Sequence, residues 1–502
     1  MAQRGEARRP KTPGAIYGVL SLVMILVVGV IALKAVQPPP PQIAEFAPQA
    51  VEQIRDAPDE QSGREDGGSG VLPPVGSSLL PIPPPSTPLD VPRYRRCYGN
   101  PPRQTEDPQS PPCAAYWDPR QDNGAKTWRG VDRNEIRIAW PQSIEKNKDT
   151  FLLEQYFNLR YEFYGRKIKL VPYKPTGEVF GPWDQAGMLN DADRVRDEAD
   201  AFASLAYIPR AGAEHHYYDR LAQHRIVSVD SHASQRTEAH LQRFAPYEWM
   251  YLPSFDVMMR NFGEWICKSL AGRRPAYAGT VIASRSTPRT FGLVYHRAAE
   301  GSTPDRSLLL STLRDGCGVA PAVTTEYTTP EQAALKLKTA DVTTVICLCQ
   351  GDQYFELMPE ATTQVYFPEW LVSSYHYLDY DSAAQRYPNE HQDHVLGITF
   401  HNKWLSQKEM PWYQAIKEVE PTYETGDDGY ASSSYERYYE MLVLASGIQM
   451  AGPNLTPKTF AEGLYRARFP AAGSGREPLW HPGGGFGPRD HSMVDDATMI
   501  WY

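Results

Sequence analysis

From Asn134 onward the apolar residues switch repeatedly between a period of two and a period near 3.6, and that alternation restricts the chain to one fold class. Residues 135–140 (EIRIAW) read as a short strand, 150–163 as a helix, and 167–173 (KIKLVPY) as a second strand. A helix over 192–200, a strand over 202–208, a helix over 214–224 and a strand over 225–230 (RIVSVD) follow. Strands separated by helices cannot pair as hairpins, so this order predicts a parallel sheet covered by helices on both faces. The alternation then restarts, with a helix over 255–270, a strand over 290–295 (TFGLVY) and a helix over 305–314. Strand 322–327, helix 330–339, strand 342–348 (VTTVICL) and a last short strand over 364–367 complete it. The expected architecture is therefore α/β, with two doubly wound, Rossmann-like lobes in series.

A long amphipathic helix comes next, in which Tyr438, Met441, Leu442, Ala445, Ile448 and Gln449 share a face. Ser433 with Glu436 has the spacing of a capping box, and Gly452-Pro453 ends the helix. Thr456 is placed to cap the following helix, with Pro457 in its first position. The chain closes on a strand-like segment over 495–502.

The first ninety residues are of another kind. Arg4, Arg8, Arg9 and Lys11 face a single acid, Glu6, and residues 15–33 (AIYGVLSLVMILVVGVIAL) are uncharged. Nineteen residues at ~1.5 Å each span about 28 Å, close to the thickness of a bilayer's hydrocarbon core. The basic flank keeps residues 1–14 in the cytoplasm, so residues 15–36 are expected to anchor a globular part outside it. The rival reading, a cleaved signal peptide, asks for a shorter apolar core and a small-residue cleavage site before Gln37 that the sequence lacks. Residues 37–92 hold fourteen of the 45 prolines and the tract GREDGGSG, a composition that favours a disordered linker. Extended as polyproline II at ~3.1 Å per residue, the linker would reach on the order of 100–170 Å.

Composition removes some functions. A net charge of −9 with no basic block argues against a nucleic-acid partner. No G-x-S-x-G elbow, G-x-x-x-x-G-K-[ST] loop or G-x-G-x-x-G turn is present, so the expectation is a binding protein and not an enzyme, with no cofactor. Gly483, Gly484 and Gly485 read as a flexible loop. His215-His216, and His391 with His394, look like loose metal ligands, but no H-E-x-x-H spacing accompanies them and no metal is expected. Of the six cysteines, Cys97 and Cys113 bracket a proline-rich loop and are expected to pair. Cys347 and Cys349 lie two apart on a strand, roughly 7 Å from each other, too far for an easy disulfide. Each is expected to pair with Cys267 or Cys317, or to remain a buried thiol.

Residues 435–464 (YERYYEMLVLASGIQMAGPNLTPKTFAEGL) resemble the helical return of the leucine/isoleucine/valine-binding family of periplasmic proteins. RQTEDPQSPPC (103–113) and NGAKTWRGVDRNEIRI resemble the lead-in of that family's Gram-positive, membrane-anchored branch. LAGRRPAYAG (270–279), VTTVICLCQGD (342–352) and YFPEW (366–370) are similar to further segments of it, in the same order. The resemblance implies the type I periplasmic binding fold, in which the chain crosses between lobes three times, here near 252–254, 395–398 and 472–477. Lobe 1 is then 133–252 with 396–472, and lobe 2 is 253–395 with 473–502, after a lead-in over 93–132. It implies capture of a small solute between the lobes for an ABC-type permease, or, as the alternative, a sensing or partner-binding scaffold without transport.

Open α/β sheets bind ligands beyond the carboxyl ends of their strands. Strand-end positions in lobe 1 are Trp140, Gln142, Ser143, Tyr207, Arg210, Ser231 and His232. Those in lobe 2 are His296, Gln350, Asp352, Glu369 and Trp370. The loop after the first strand, 141–148 (PQSIEKNK), departs from the family pattern, being charged and without glycine. The resemblance therefore carries over no branched-chain amino acid as the ligand.

Overall fold

The computed structural model describes residues 97–98, 103–104, 110–141, 148–176, 184–207, 215–231, 236–279, 286, 288–296, 306–349, 351–375, 378–401, 406–424, 431–469 and 483–502. The expected anchor and linker lie outside the described residues, among which no helix is long and apolar enough to cross a membrane. A short antiparallel pair, β1 (Cys97–Tyr98) with β2 (Arg103–Gln104), precedes the first lobe.

That lobe runs β3 (Glu135–Pro141), α1 (Lys148–Arg160), β4 (Lys167–Tyr173), α2 (Gln185–Asp197), β5 (Ala203–Ser204) and α3 (His215–Gln223), then β6 (Val227–Asp230), α4 (Glu238–Arg243) and β7 (Glu248–Met250). The five long-range strands are all parallel, in the order β4-β3-β5-β6-β7. Every residue of β6 is buried, as a strand covered on both faces requires.

The second lobe repeats the plan. It comprises α5 (Phe255–Ser269), β8 (Phe291–Tyr295), α6 (Ser307–Cys317), β9 (Val323–Glu326), α7 (Pro330–Thr339), β10 (Thr344–Leu348), α8 (Gly351–Thr363) and β11 (Glu369–Val372), followed by the short helices α9 (Asp381–Ala384) and α10 (Asn389–Gln392) and by β12 (Val395–Thr399). Its parallel order is β9-β8-β10-β11-β12. Counted from the first strand of each lobe, both sheets read 2-1-3-4-5. After α11 (Pro411–Val419), α12 (Ala431–Ala451) and α13 (Pro457–Arg466), the final strand β13 (Thr498–Trp501) pairs antiparallel with β12.

Local chemistry sets the helix ends. Thr456 Oγ1 accepts from Thr459 N at 3.1 Å with Pro457 in the first turn, as the Thr-Pro step predicts. Gly452, at φ +84°, stops α12 in the left-handed region that glycine enters without strain. All six residues expected on the inner face of α12 are buried. The helix begins at Ala431, so Ser433 is an interior residue and not the expected cap.

Several expectations need correcting. The last short strand is not at 364–367: α8 fills 351–363 and the strand starts at Glu369, because Val365 turns the backbone at φ +52° first. The helix α4 and strand β7 in the first lobe went unread, both being too short to show a period. Cys347 and Cys349 pair with each other, and Cys267 pairs with Cys317. The chain leaves β10 at Leu348, which brings the two Cα atoms to 5.1 Å instead of a strand's wider repeat. Cys113 is also disulfide-bonded; the side chain of Cys97, its expected partner, lies outside the described residues.

The glycine tract is also ordered, as an extended segment paired with residues 493–495. Gly484 bridges Val494, and a Cβ on Gly484 would stand 1.7 Å from the Met493 carbonyl oxygen. The lobe crossings shift with it. Residues 395–398 belong to β12, so the chain leaves the second sheet after Thr399. Residues 472–477 lie outside the described residues, and His491–Val494 still hydrogen-bond to Met250 and Tyr251 of the first lobe.

Next to this return, burial and the neighbouring carboxylates of Asp495 and Glu238 push the Asp490 carboxyl up to about 7. A carboxyl whose folded pKa is raised gives stability that is complete below pH ~4 and is lost as pH rises through 7. Asp490→Asn keeps the neutral form at every pH. It should leave the melting temperature unchanged at pH 4 and stabilise the protein at pH 8 by about 1–2 kcal/mol, discounted for partial exposure. Equal melting curves at pH 8 would refute this account.

Candidate functional site

The carboxyl ends of both sheets meet on α12. In the first lobe, Glu440 of α12 accepts from Ala206 N at 3.1 Å and from Ser231 Oγ at 2.5 Å. Arg437, one turn earlier, donates to Glu440 and reaches the Ala206 carbonyl at 3.3 Å. Both charged side chains are buried, so each satisfies the other and together they clasp the strand ends of β5 and β6. Tyr439 stacks on Tyr251, just beyond β7, with ring centroids 4.2 Å apart.

The same helix touches the second lobe. Tyr435 stands 3.3 Å from Nδ1 of His401, which follows β12, and Glu436 accepts from Tyr380 at 3.1 Å. Beneath them Asp379 accepts from Ser374, beyond β11, at 2.6 Å and from Thr399, at the end of β12, at 2.5 Å. Burial lowers the His401 pKa against the opposing pull of Asp379, so its ring is a neutral donor–acceptor. Phe255, at the start of α5, packs edge-on to Tyr375, beyond β11, at 5.7 Å.

Of the expected first-lobe contacts, Trp140 lies in the core against Phe151, centroids 5.1 Å apart. Tyr207 is buried, stacks on Tyr217 at 4.4 Å and donates to Asp191 at 2.8 Å. Burial, and then the Asp191 carboxylate, push its phenol well above the ordinary tyrosine range. Ser231 is at the clasp already described. Gln142, Ser143, Arg210 and His232 lie outside the described residues.

In the second lobe His296 follows β8 and faces Gln353 at 2.8 Å, its pKa lowered by burial. Gln350 and the side chain of Asp352 lie outside the described residues. Glu369 and Trp370 are corrected by the later start of β11. They stand at its amino end, away from the edge where α12 lies. Glu369 is sealed against Arg289, and Trp370 donates to Nδ1 of His391 at 2.9 Å. His391 also meets Thr362 at 2.9 Å, and burial, with the charge of His394, lowers its pKa to about 4. His391 therefore serves the packing of the lobe, accepting at Nδ1 and leaving Nε2 to donate.

Asp379, His401, Arg437 and Glu440 were not singled out from the sequence. The available signal was the pair Arg437–Glu440 inside an otherwise apolar run of α12, since charges there must find each other or solvent.

The architecture is similar to that of several solved structures. An ABC transporter substrate-binding protein from Desulfitobacterium hafniense is similar at 15% identity and a TM-score of 0.50, over 74% of this chain and 97% of that one. A periplasmic binding protein type 1 from Bordetella pertussis Tohama I is similar at 13% identity and 0.51, over 74% and 97%. The fold is that of the type I periplasmic binding proteins. An ABC transporter substrate-binding protein from Aeropyrum pernix shares this fold with the chain at 12% identity and a TM-score of 0.51, covering 73% and 92%. At these identities the likeness of type I binding proteins to this chain is one of architecture. No protein-family model matches the sequence, and no curated protein matches it.

Proposed function

We propose that the chain is an extracytoplasmic solute-binding protein that captures a small molecule between its two lobes and presents it to an ABC-type importer. The observation that carries this reading is the convergence of both sheets' carboxyl ends on α12, through Glu440 and Tyr439 on one side and Tyr435 on the other. In open α/β sheets that edge is where ligands sit. The similar Desulfitobacterium and Aeropyrum proteins are described as ABC transporter substrate-binding proteins, which favours delivery to a transporter. Residues 15–36 serve as a membrane anchor and 37–92 as the tether in this reading, motivated by the uncharged run and the proline content. Tyr207, Ser231 and His296 remain the described positions proposed to approach the ligand, with Gln142, Ser143, Arg210, His232, Gln350 and Asp352 on the adjoining segments.

One observation favours a second reading, a partner-binding scaffold. The described polar groups at the strand ends are engaged with one another: Ser231 with Glu440, Tyr207 with Asp191, and Asp379 with Ser374 and Thr399. Thermal unfolding of the full chain in mild detergent, against amino acids, sugars, peptides and aromatic acids, separates the two. A ligand at 100 times its dissociation constant stabilises the folded state by ~2.7 kcal/mol. A shift of that size with one compound class is expected. A well-folded chain that no class shifts would replace solute capture with the scaffold.

A further inference from the structure

Three side chains that no sequence motif links come together under the helices of the first lobe. Asp219 stands on α3, His240 in α4 and Glu248 at the first position of β7. One ligand atom from each lies within 4.8 Å of the other two. His240 Nε2 is 2.9 Å from Asp219 Oδ1 and 3.6 Å from Glu248 Oε2. The Asp219 and His240 side chains are 20% and 22% exposed, so the cluster opens to the surface on one side, while Glu248 closes it from below at 0%.

The second observation concerns that buried carboxylate. Arg236 donates to Glu248 Oε2 at 3.1 Å and also holds Asp230, but among the described residues Glu248 Oε1 meets no hydrogen-bond partner. A sealed carboxylate oxygen is among the groups that folded proteins rarely leave unsatisfied. A protonated His240 bridging Asp219 and Glu248 would account for Oδ1 and Oε2 and still leave Oε1 orphaned. A cation bound by both oxygens of Glu248 would account for all three. The local charge agrees, with the carboxylates of Asp219, Asp230 and Glu248 set against the single guanidinium of Arg236.

We propose that Asp219, His240 and Glu248 form a binding site for a divalent transition metal of the zinc type. One imidazole nitrogen with two carboxylate oxygens is a donor set for zinc, whereas calcium and magnesium take oxygen ligands. Three protein ligands leave a fourth position on the open side. His215, whose ring centroid is 6.4 Å from that of His240, stands beside it. The site lies on the helical face of the first lobe and is independent of the inter-lobe function proposed above.

The test uses the full chain in mild detergent, without a polyhistidine tag and stripped with chelator. Zn²⁺ is titrated by calorimetry and Co²⁺ by its visible absorption. One equivalent of each metal should bind. Asp219→Asn, His240→Asn and Glu248→Gln should each weaken binding at least ~10-fold, since even supporting residues of metal sites carry effects of that size. Asp219 is half-buried, so D219N keeps the fold and decides the matter if H240N or E248Q fails to fold. Absence of stoichiometric binding, or a dissociation constant that D219N leaves unchanged because His215-His216 hold the metal alone, would overturn the proposal.

Discussion

Replacing Arg289 by Met should lower the stability of the folded chain by about 3–5 kcal/mol, as expected when one partner of a buried ion pair is removed. Arg289 binds Glu369 twice, Nε to Oε2 at 2.7 Å and Nη2 to Oε1 at 2.9 Å, with side-chain exposures of 3% and 0%. Thr344 Oγ1 adds a 2.6 Å contact to the same carboxylate and Tyr277 N one at 3.1 Å. Without the guanidinium, an ionised carboxylate stays sealed at the amino end of β11. The double variant Arg289→Met/Glu369→Leu removes both charges and should recover about half of the loss, leaving the Thr344 hydroxyl and the Tyr277 amide to cost ~1–3 kcal/mol. Urea unfolding of the two variants measures the difference. If the double variant is no more stable than the single one, the pair is not what fixes this corner of the lobe.

The second large effect separates the two disulfides. Cys267–Cys317 closes a sequence separation of 50 residues and ties α5 to the end of α6. The chain-entropy relation then assigns it about 4 kcal/mol at 25 °C. Cys347–Cys349 spans a separation of 2, so it restrains little of the unfolded chain and the same relation gives under ~2 kcal/mol. Cys267→Ala/Cys317→Ala should therefore unfold at markedly lower denaturant than Cys347→Ala/Cys349→Ala. The reverse order would mean that the shorter link acts by holding the carboxyl end of β10 in the folded state.

These results touch the parts of the molecule that the sequence hid. Strands β3 and β4 were readable almost to the residue because EIRIAW and KIKLVPY alternate or run apolar over a full strand length. Helix α7 was readable over its full span of 330–339, and Thr329 caps it by accepting from Gln332 N at 3.3 Å. By contrast β7 is three residues long and its strand character comes from neighbours and not from its own composition, while the strand read over 202–208 pairs only at Ala203–Ser204. Cys347–Cys349 was missed because ideal strand spacing was assumed beyond the point where β10 ends. The site was harder still. Tyr207 and Ser231 are legible by counting to strand ends, but their partners Asp191 and Glu440 lie 16 and 209 residues away, and no local pattern reports such a meeting. Glu369 shows the same weakness, since moving a strand's start by a few residues transfers a side chain from one edge of a sheet to the other.

The return of His491–Val494 along β7 has a consequence in time. β7 is the outermost strand of the first sheet, and the backbone that covers its free side, through Met250 N to the His491 carbonyl at 2.9 Å, is synthesised roughly 240 residues later. At ~5–20 residues per second that is about 10–50 s of elongation. The first lobe thus stands unfinished, with an open sheet edge and without α12 to cover its strand ends, until residues 431–494 have been made. In a chain wired this way, an edge made early is sealed only by a segment made much later.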